Sequence, residues 1–162
     1  MKRLSNLLAA LVFASLVIFM SCGGGGDDPA PSAGEVAAGK ISGSWDVSGT
    51  PTFGGDVEGD WSGFNLSVSN IAEGSNGVWG GNFTASGIPV GYGPVWGGSD
   101  TDTSVSGTWS FASATNVSSV VRGDGVSMAL TTGDASLESL QFTVSSPART
   151  SGIYDALWVF QF

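Results

Sequence analysis

Beyond residue 40 the chain alternates apolar and polar residues almost throughout. A period of two belongs to a β-strand, whose successive side chains point to opposite faces. In I-S-G-S-W-D-V-S, Ile41, Gly43, Trp45 and Val47 share one face, while Ser42, Ser44, Asp46 and Ser48 share the other. The habit returns in Phe64, Leu66 and Val68, and again in Trp79, Gly81, Phe83 and Ala85. Val126, Met128 and Leu130 follow it, as do Leu140, Phe142 and Val144. In the last run, Y-D-A-L-W-V-F-Q-F, one face holds Tyr154, Ala156, Trp158, Phe160 and Phe162. Leu157 and Val159 on its other face are apolar too, which suits a strand covered on both sides or central in its sheet. The R-G-D-G run between Val121 and Val126 reads as a tight hairpin turn, with glycine supplying positive φ. No stretch shows a helical period. The pattern predicts an all-β fold, either an antiparallel β-sandwich or a β-barrel.

The N-terminus has a different character. Met1-Lys2-Arg3 is followed by an apolar run from Leu7 to Met20, broken only by Ser15. A span of the hydrocarbon core needs about 20 such residues, so this run is too short to cross a bilayer. A cationic start, a short apolar middle and small residues before a cut make a secretory signal, removed before folding. The chain's single cysteine stands at its end, in Phe19-Met20-Ser21-Cys22. This tetrad resembles the lipobox of bacterial lipoproteins, with Phe19 where that family usually has Leu. The resemblance implies cleavage after residue 21 and lipidation of Cys22. A lone exported thiol can form no internal disulfide, so the fold forms without that help.

Residues 22–39 then read as a lipidated cysteine and a flexible Gly/Pro/acidic tether, because G-G-G-G-D-D-P-A-P-S-A-G-E-V-A-A-G lacks apolar bulk to offset chain entropy. Asp27 and Asp28, close behind the cysteine, resemble the acidic export signal of Bacteroidota-type surface lipoproteins. The implied location is the outer membrane, at its periplasmic face or the cell surface. Residues 40–162 are of a size for a single all-β domain. It carries Lys40, Arg122 and Arg149 against eleven acids. That balance repels nucleic acid and anionic headgroups, so the membrane partnership expected is the lipid anchor itself.

Two segments echo each other: I-S-G-S-W-D-V-S at 41–48 and V-S-G-T-W-S-F-A at 105–112. In each, a glycine precedes a tryptophan by two residues, so a ring can lie over the missing side chain. Gly43-Ser44-Trp45 also resembles the G-x-W of lipocalin-type barrels, near the start of the first strand. That likeness implies a barrel carrying a small apolar ligand, with Trp45 at its base. The closing aromatics resemble the last strand of outer-membrane barrels, but the other strands are short for a tilted span.

The residue inventory narrows the chemistry. The chain has no histidine, and its one cysteine is the anchor, which removes Ser-His-Asp and Cys-His catalysis and the common zinc and copper sites. No pair of acids stands out for glycoside hydrolysis, and a non-enzymatic protein without a resident cofactor is expected. Asp56, Glu58 and Asp60 alternate on one face, an oxygen-rich set of the kind that suits Ca²⁺, although a solvated strand face or turn is the better account of them. Arg122-Gly123-Asp124 spells an adhesion tripeptide that its role as a turn already accounts for. In G-I-P-V-G-Y-G-P-V-W-G-G-S-D, Tyr92 and Trp96 sit in a loop with no alternation to bury them, followed by Asp100 and Asp102. Rings beside carboxylates are the chemistry of sugar binding. These expectations make the chain an envelope or surface lipoprotein that binds a glycan or other extracellular ligand. The alternatives are a carrier of a small apolar ligand and a structural component that pairs with another envelope protein.

Overall fold

A computed structural model describes residues 29–52, 59–143 and 157–162. Cys22, Asp56 and Glu58 lie outside the described residues, as do Val144, Tyr154 and Ala156. All the elements below belong to one unit, Pro31–Phe162.

Among the described residues eight strands follow one another: β1 Gly43–Asp46, β2 Asn65–Glu73, β3 Trp79–Ser86, β4 Ser104–Phe111, β5 Ser119–Arg122, β6 Ser127–Thr132, β7 Leu137–Thr143 and β8 Leu157–Gln161. They form a single sheet in chain order, each antiparallel to the next. This up-and-down meander curls on itself into a barrel-like fold. Of the two architectures expected, it is the barrel; a sandwich would divide the strands between two facing sheets. The chain leaving β1 carries the curl round to β8. Ser48 N–H donates to the Gln161 carbonyl (2.7 Å), and Thr52 and Val159 exchange both backbone bonds (3.0 and 2.8 Å). Val159 therefore has a neighbour on each side of its strand, the central position its doubly apolar sequence implied. Leu157, at the strand's start, is nonetheless exposed.

Period-two burial follows the predicted faces. Leu66 and Val68, Phe83 and Ala85, Met128 and Leu130, Leu140 and Phe142, and Trp158 and Phe160 all point inward and are buried. The R-G-D-G segment is the predicted hairpin: Gly125 takes φ +90°, and Arg122 N–H donates to the Val126 carbonyl at 2.9 Å.

The tether expected through Gly39 differs from what is found. Ala33–Ile41 form a helix, α1, and Ile41, expected in the first strand, ends it. Ser32 caps the helix, its hydroxyl accepting from Glu35 N–H at 3.0 Å, and Glu35 and Lys40 lie at the ends that the helix dipole favours. Its inward face is made of small residues, Ala37 and Ala38 with Ile41, packed against β2, β3 and β6. A run of Gly and Ala has little apolar area of its own and reads as a tether in isolation. Docked against a finished sheet end, that smallness lets the helix backbone approach the side chains of the sheet. Gly34 shows the closeness: a β-carbon there would stand 2.6 Å from Cδ1 of Trp79. Lys40 adds a bond from Nζ to the Gly133 carbonyl, 2.9 Å, on the β6–β7 turn. Trp45 belongs to the same end, its indole N–H donating to the Ile41 carbonyl at 3.0 Å.

The opposite end is closed by residues 87–103, the connection from β3 to β4. A single 3-10 turn, Gly93–Trp96, is stopped by Gly97 at φ +91°, and Gly98 N–H returns to the Gly93 carbonyl at 3.0 Å. The tight turn aims Trp96 down into the barrel.

Candidate functional site

The interior offers little room. Trp96 is 2% exposed and lies 5.1 to 6.1 Å, centroid to centroid, from Phe64, Phe83, Phe142 and Phe160. Trp61 packs beside it against Phe64, Tyr92, Trp158 and Phe160 at 5.4 to 5.9 Å. What is left is an apolar cavity of about 30 Å³ between Ile41, Trp96, Trp109 and the inward residues of β2, β6 and β7. A drug-sized ligand needs a few hundred Å³.

This packing corrects the reading of the 87–103 loop. Tyr92 and Trp96 were expected to present ring faces to solvent; both are buried, at 7% and 2% exposure. Absence of alternation hid their burial, because a 3-10 turn can point a ring inward without any strand period. The two acids behind them do not converge on a ligand either. Asp102 accepts from Ser99 N–H at 2.6 Å, and that bond, with help from the Ser99 hydroxyl, holds its carboxyl below the usual range. The carbonyl of Asp100 accepts from Gly91 N–H at 2.7 Å. Asp60, the described member of the acidic trio, accepts from Ser62 N–H at 2.9 Å; the Ser62 hydroxyl and N–H together lower its pKa. Among the described residues no three acids gather as a metal site would require.

The adhesion tripeptide is likewise accounted for by structure. Arg122 follows inward-facing Val120 by two positions, so its side chain enters the barrel and is 2% exposed. There each of its three nitrogens donates a hydrogen bond. Nε and Nη2 donate to the two oxygens of Asp124 at 2.9 and 2.6 Å, and Nη1 donates to the Val95 carbonyl at 2.7 Å. The guanidinium also lies 5.9 Å from the Phe142 ring centroid. A buried arginine is tolerated only with its charge matched, and this fork supplies the match. Asp124, 40% exposed, is held below the usual carboxylate range by those bonds, against an opposing effect of partial burial.

Around this ion pair lies a crevice of about 320 Å³, open through the barrel wall. It exists because β5 is short. β5 pairs with β4 at Trp109, Ser110 and Phe111, Gly123 adds a last bond to the Thr108 carbonyl, and the chain then turns away. Above that point no strand among the described residues lies on that side of β4. Phe83 and Trp96 form the floor, Ser106 and Thr108 the near lip, and Arg122 and Asp124 the far wall. Gly107 keeps the crevice deep. It faces Phe83 across the ladder, and a β-carbon there would stand 2.7 Å from the ring. The predicted stacking of Trp109 over its own Gly107 is thus replaced by a cross-strand one, Phe83 over Gly107. Trp96 contributes a buried indole N–H that meets no acceptor among the described residues. Two roomier hollows, about 430 Å³ beside the β2–β3 hairpin and about 530 Å³ over the β5–β6 turn and β6–β8, lack this combination of ring floor and buried cation.

Chemically the crevice suits recognition. Asp124 is ionised and committed to Arg122, so at neutral pH it accepts hydrogen bonds and attracts cations but has no proton to give. Ser106 and Thr108 have hydroxyls, and Ser106 already shares a bond with Thr84 at 2.8 Å. One signal in the sequence pointed here: a cation two residues after Val120, on the inward phase of a strand.

No family model matches the chain, and neither does any curated protein or solved structure.

Proposed function

We propose that this chain is an exported lipoprotein, held at the outer membrane through Cys22, whose barrel-like domain is a non-enzymatic binding module that works from its outer surface. The observation that carries the reading is the filled interior. With about 30 Å³ of free space inside and about 320 Å³ in the wall crevice, an extracellular ligand is met at the crevice. The carrier reading loses support for the same reason, since Trp96 stands where a small apolar ligand would sit. The glycan reading loses its stacking platforms, because the ring faces of Tyr92 and Trp96 are covered. Support for the anchor is the Phe19–Cys22 tetrad behind a short apolar run.

The test has two arms. Growth with an alkyne-tagged palmitate should label the chain in the outer-membrane fraction, and Cys22→Ser should abolish labelling and release the protein. Labelling that persists in the variant defeats the anchor. Tryptophan fluorescence of the released variant, titrated with fatty acids, should not change, because no interior site is open. Saturable quenching by a fatty acid would restore the carrier reading.

A further inference from the structure

The crevice has a property that neither a sugar nor an apolar ligand would use. Among the described residues, its near lip is an unpaired edge of β4. Gly123 N–H donates to the Thr108 carbonyl at 2.8 Å, so Thr108 turns its backbone toward β5. In an antiparallel strand, residues two apart turn the same way, which points the N–H and C=O of Ser104 and Ser106 into the gap that β5 leaves. Both residues are exposed. Natural sheets guard such edges with lysine, proline, a bulge or a covering loop, because a bare edge pairs with any passing strand. The stretch Ser104-Val105-Ser106-Gly107 has no charge and no proline, and its ladder with β3 runs without a register shift.

We infer that β4 receives an extended peptide segment of a partner protein as an added strand, with a basic side chain seated in the crevice. The inference rests on the surface-binding reading above and names its partner class. Backbone pairing with Ser104 and Ser106 sets the extended form. The added strand's inward residues then enter the crevice, as Val105 and Gly107 do beside it. A lysine there lies against the Phe83 ring and the exposed carboxylate of Asp124. Charge also decides against a second copy of this chain as the occupant. The full sequence has a net charge of −9, so like repels like, whereas a basic segment is drawn in.

The probe is a fluorescein-labelled Val-Lys-Val-Lys-Val-Lys peptide, read by anisotropy against the full-length chain in detergent. Binding should saturate, weaken as salt rises, and vanish when glutamate replaces every lysine. N-methylation of alternate peptide nitrogens should abolish it in one of the two phases and spare it in the other, the signature of a ladder. Ser106→Pro removes one edge donor while leaving the β3 ladder intact, and should weaken binding about threefold to tenfold. Should that variant melt early, the N-methyl series still decides the matter on the unmodified protein. Equal binding of the lysine and glutamate peptides overturns the inference, as does indifference to N-methylation in both phases. A dimer seen by sedimentation and lost in Ser106→Pro also overturns it, by giving the edge to a second copy. Because binding is measured apart from the membrane, its outcome is independent of whether Cys22 is lipidated.

Discussion

The two ends of the barrel are closed by opposite means. At one end α1 lays small residues, Gly34, Ala37 and Ala38, against the strands, and its own local signals hold it in shape: a Ser32 cap, Glu35 in the first turn, Lys40 in the last. At the other, residues 87–103 have almost no regular structure and drive Val95 and Trp96 into the core, with Arg122 bonded to the loop's Val95 carbonyl. A small-residue plug contributes by letting the helix backbone lie close on the sheet's side chains, and buries little area per residue. A tryptophan plug contributes by area, about 25 cal/mol for each Å² removed from water. The comparison teaches that local order and energetic weight need not coincide. The end that looks structured should be the easier one to open.

The largest effect expected comes from the loop end. Trp96→Ala empties a site ringed by four phenylalanines, and should cost about 3–5 kcal/mol in urea denaturation. It also opens an apolar cavity, so added indole should recover part of the loss. If stability falls by less than about 1 kcal/mol, the loop is not a structural plug and the comparison fails.

Next comes the ion pair beneath the loop. Asp124→Asn leaves the Arg122 charge without its counter-ion. Because Asp124 is 40% exposed, water screens part of the cost, and a loss of about 1–2 kcal/mol is expected. The pH dependence has a definite sign. Asp124 has a lowered pKa in the fold, so its contribution is complete above the ordinary aspartate pKa near 4 and is lost as pH falls through the lower folded value. The wild type should therefore lose stability in acid more steeply than Asp124→Asn. Parallel acid profiles would show that the pair does not latch the loop.

The smallest effect belongs to the helix. Ser32→Ala removes the cap and should cost about 1 kcal/mol of helix stability. Hydrogen exchange should speed up in Val36 to Ile41 while the strands keep their protection. Equal acceleration in β2 and β3 would mean that α1 opens only with the whole barrel, erasing the contrast between the two ends.

Much of the fold is legible in the sequence, and the reason is specific. A strand's faces depend on its own alternation, so Leu66, Phe83, Met128 and Phe142 could be turned inward from the sequence alone. The 121–126 turn was legible because glycine and aspartate act on the backbone locally. What failed was whatever depends on the far side of a contact. Ala37 and Ala38 have no apolar bulk to announce a helix, and become core only when β3 and β6 are there to meet them. Tyr92 and Trp96 have no period, and only the aromatic chamber beneath them draws them in. The crevice was hidden most completely, since Gly107 faces Phe83 through a pairing register that neither segment encodes by itself.

By itself, then, the sequence determined the all-β character, the inward set of most strands, a fold formed without disulfide or histidine, and a lipobox-like N-terminus. These follow from nearest-neighbour geometry and from which side chains are present at all. The tertiary structure alone decided that the sheet curls into a barrel-like fold, that its interior is filled by its own tryptophans, and that β5 stops short and leaves the edge of β4 unpaired among the described residues. Each of these depends on the lengths and registers of strands far apart in the chain, where the free energy lies in contacts that no single segment contains.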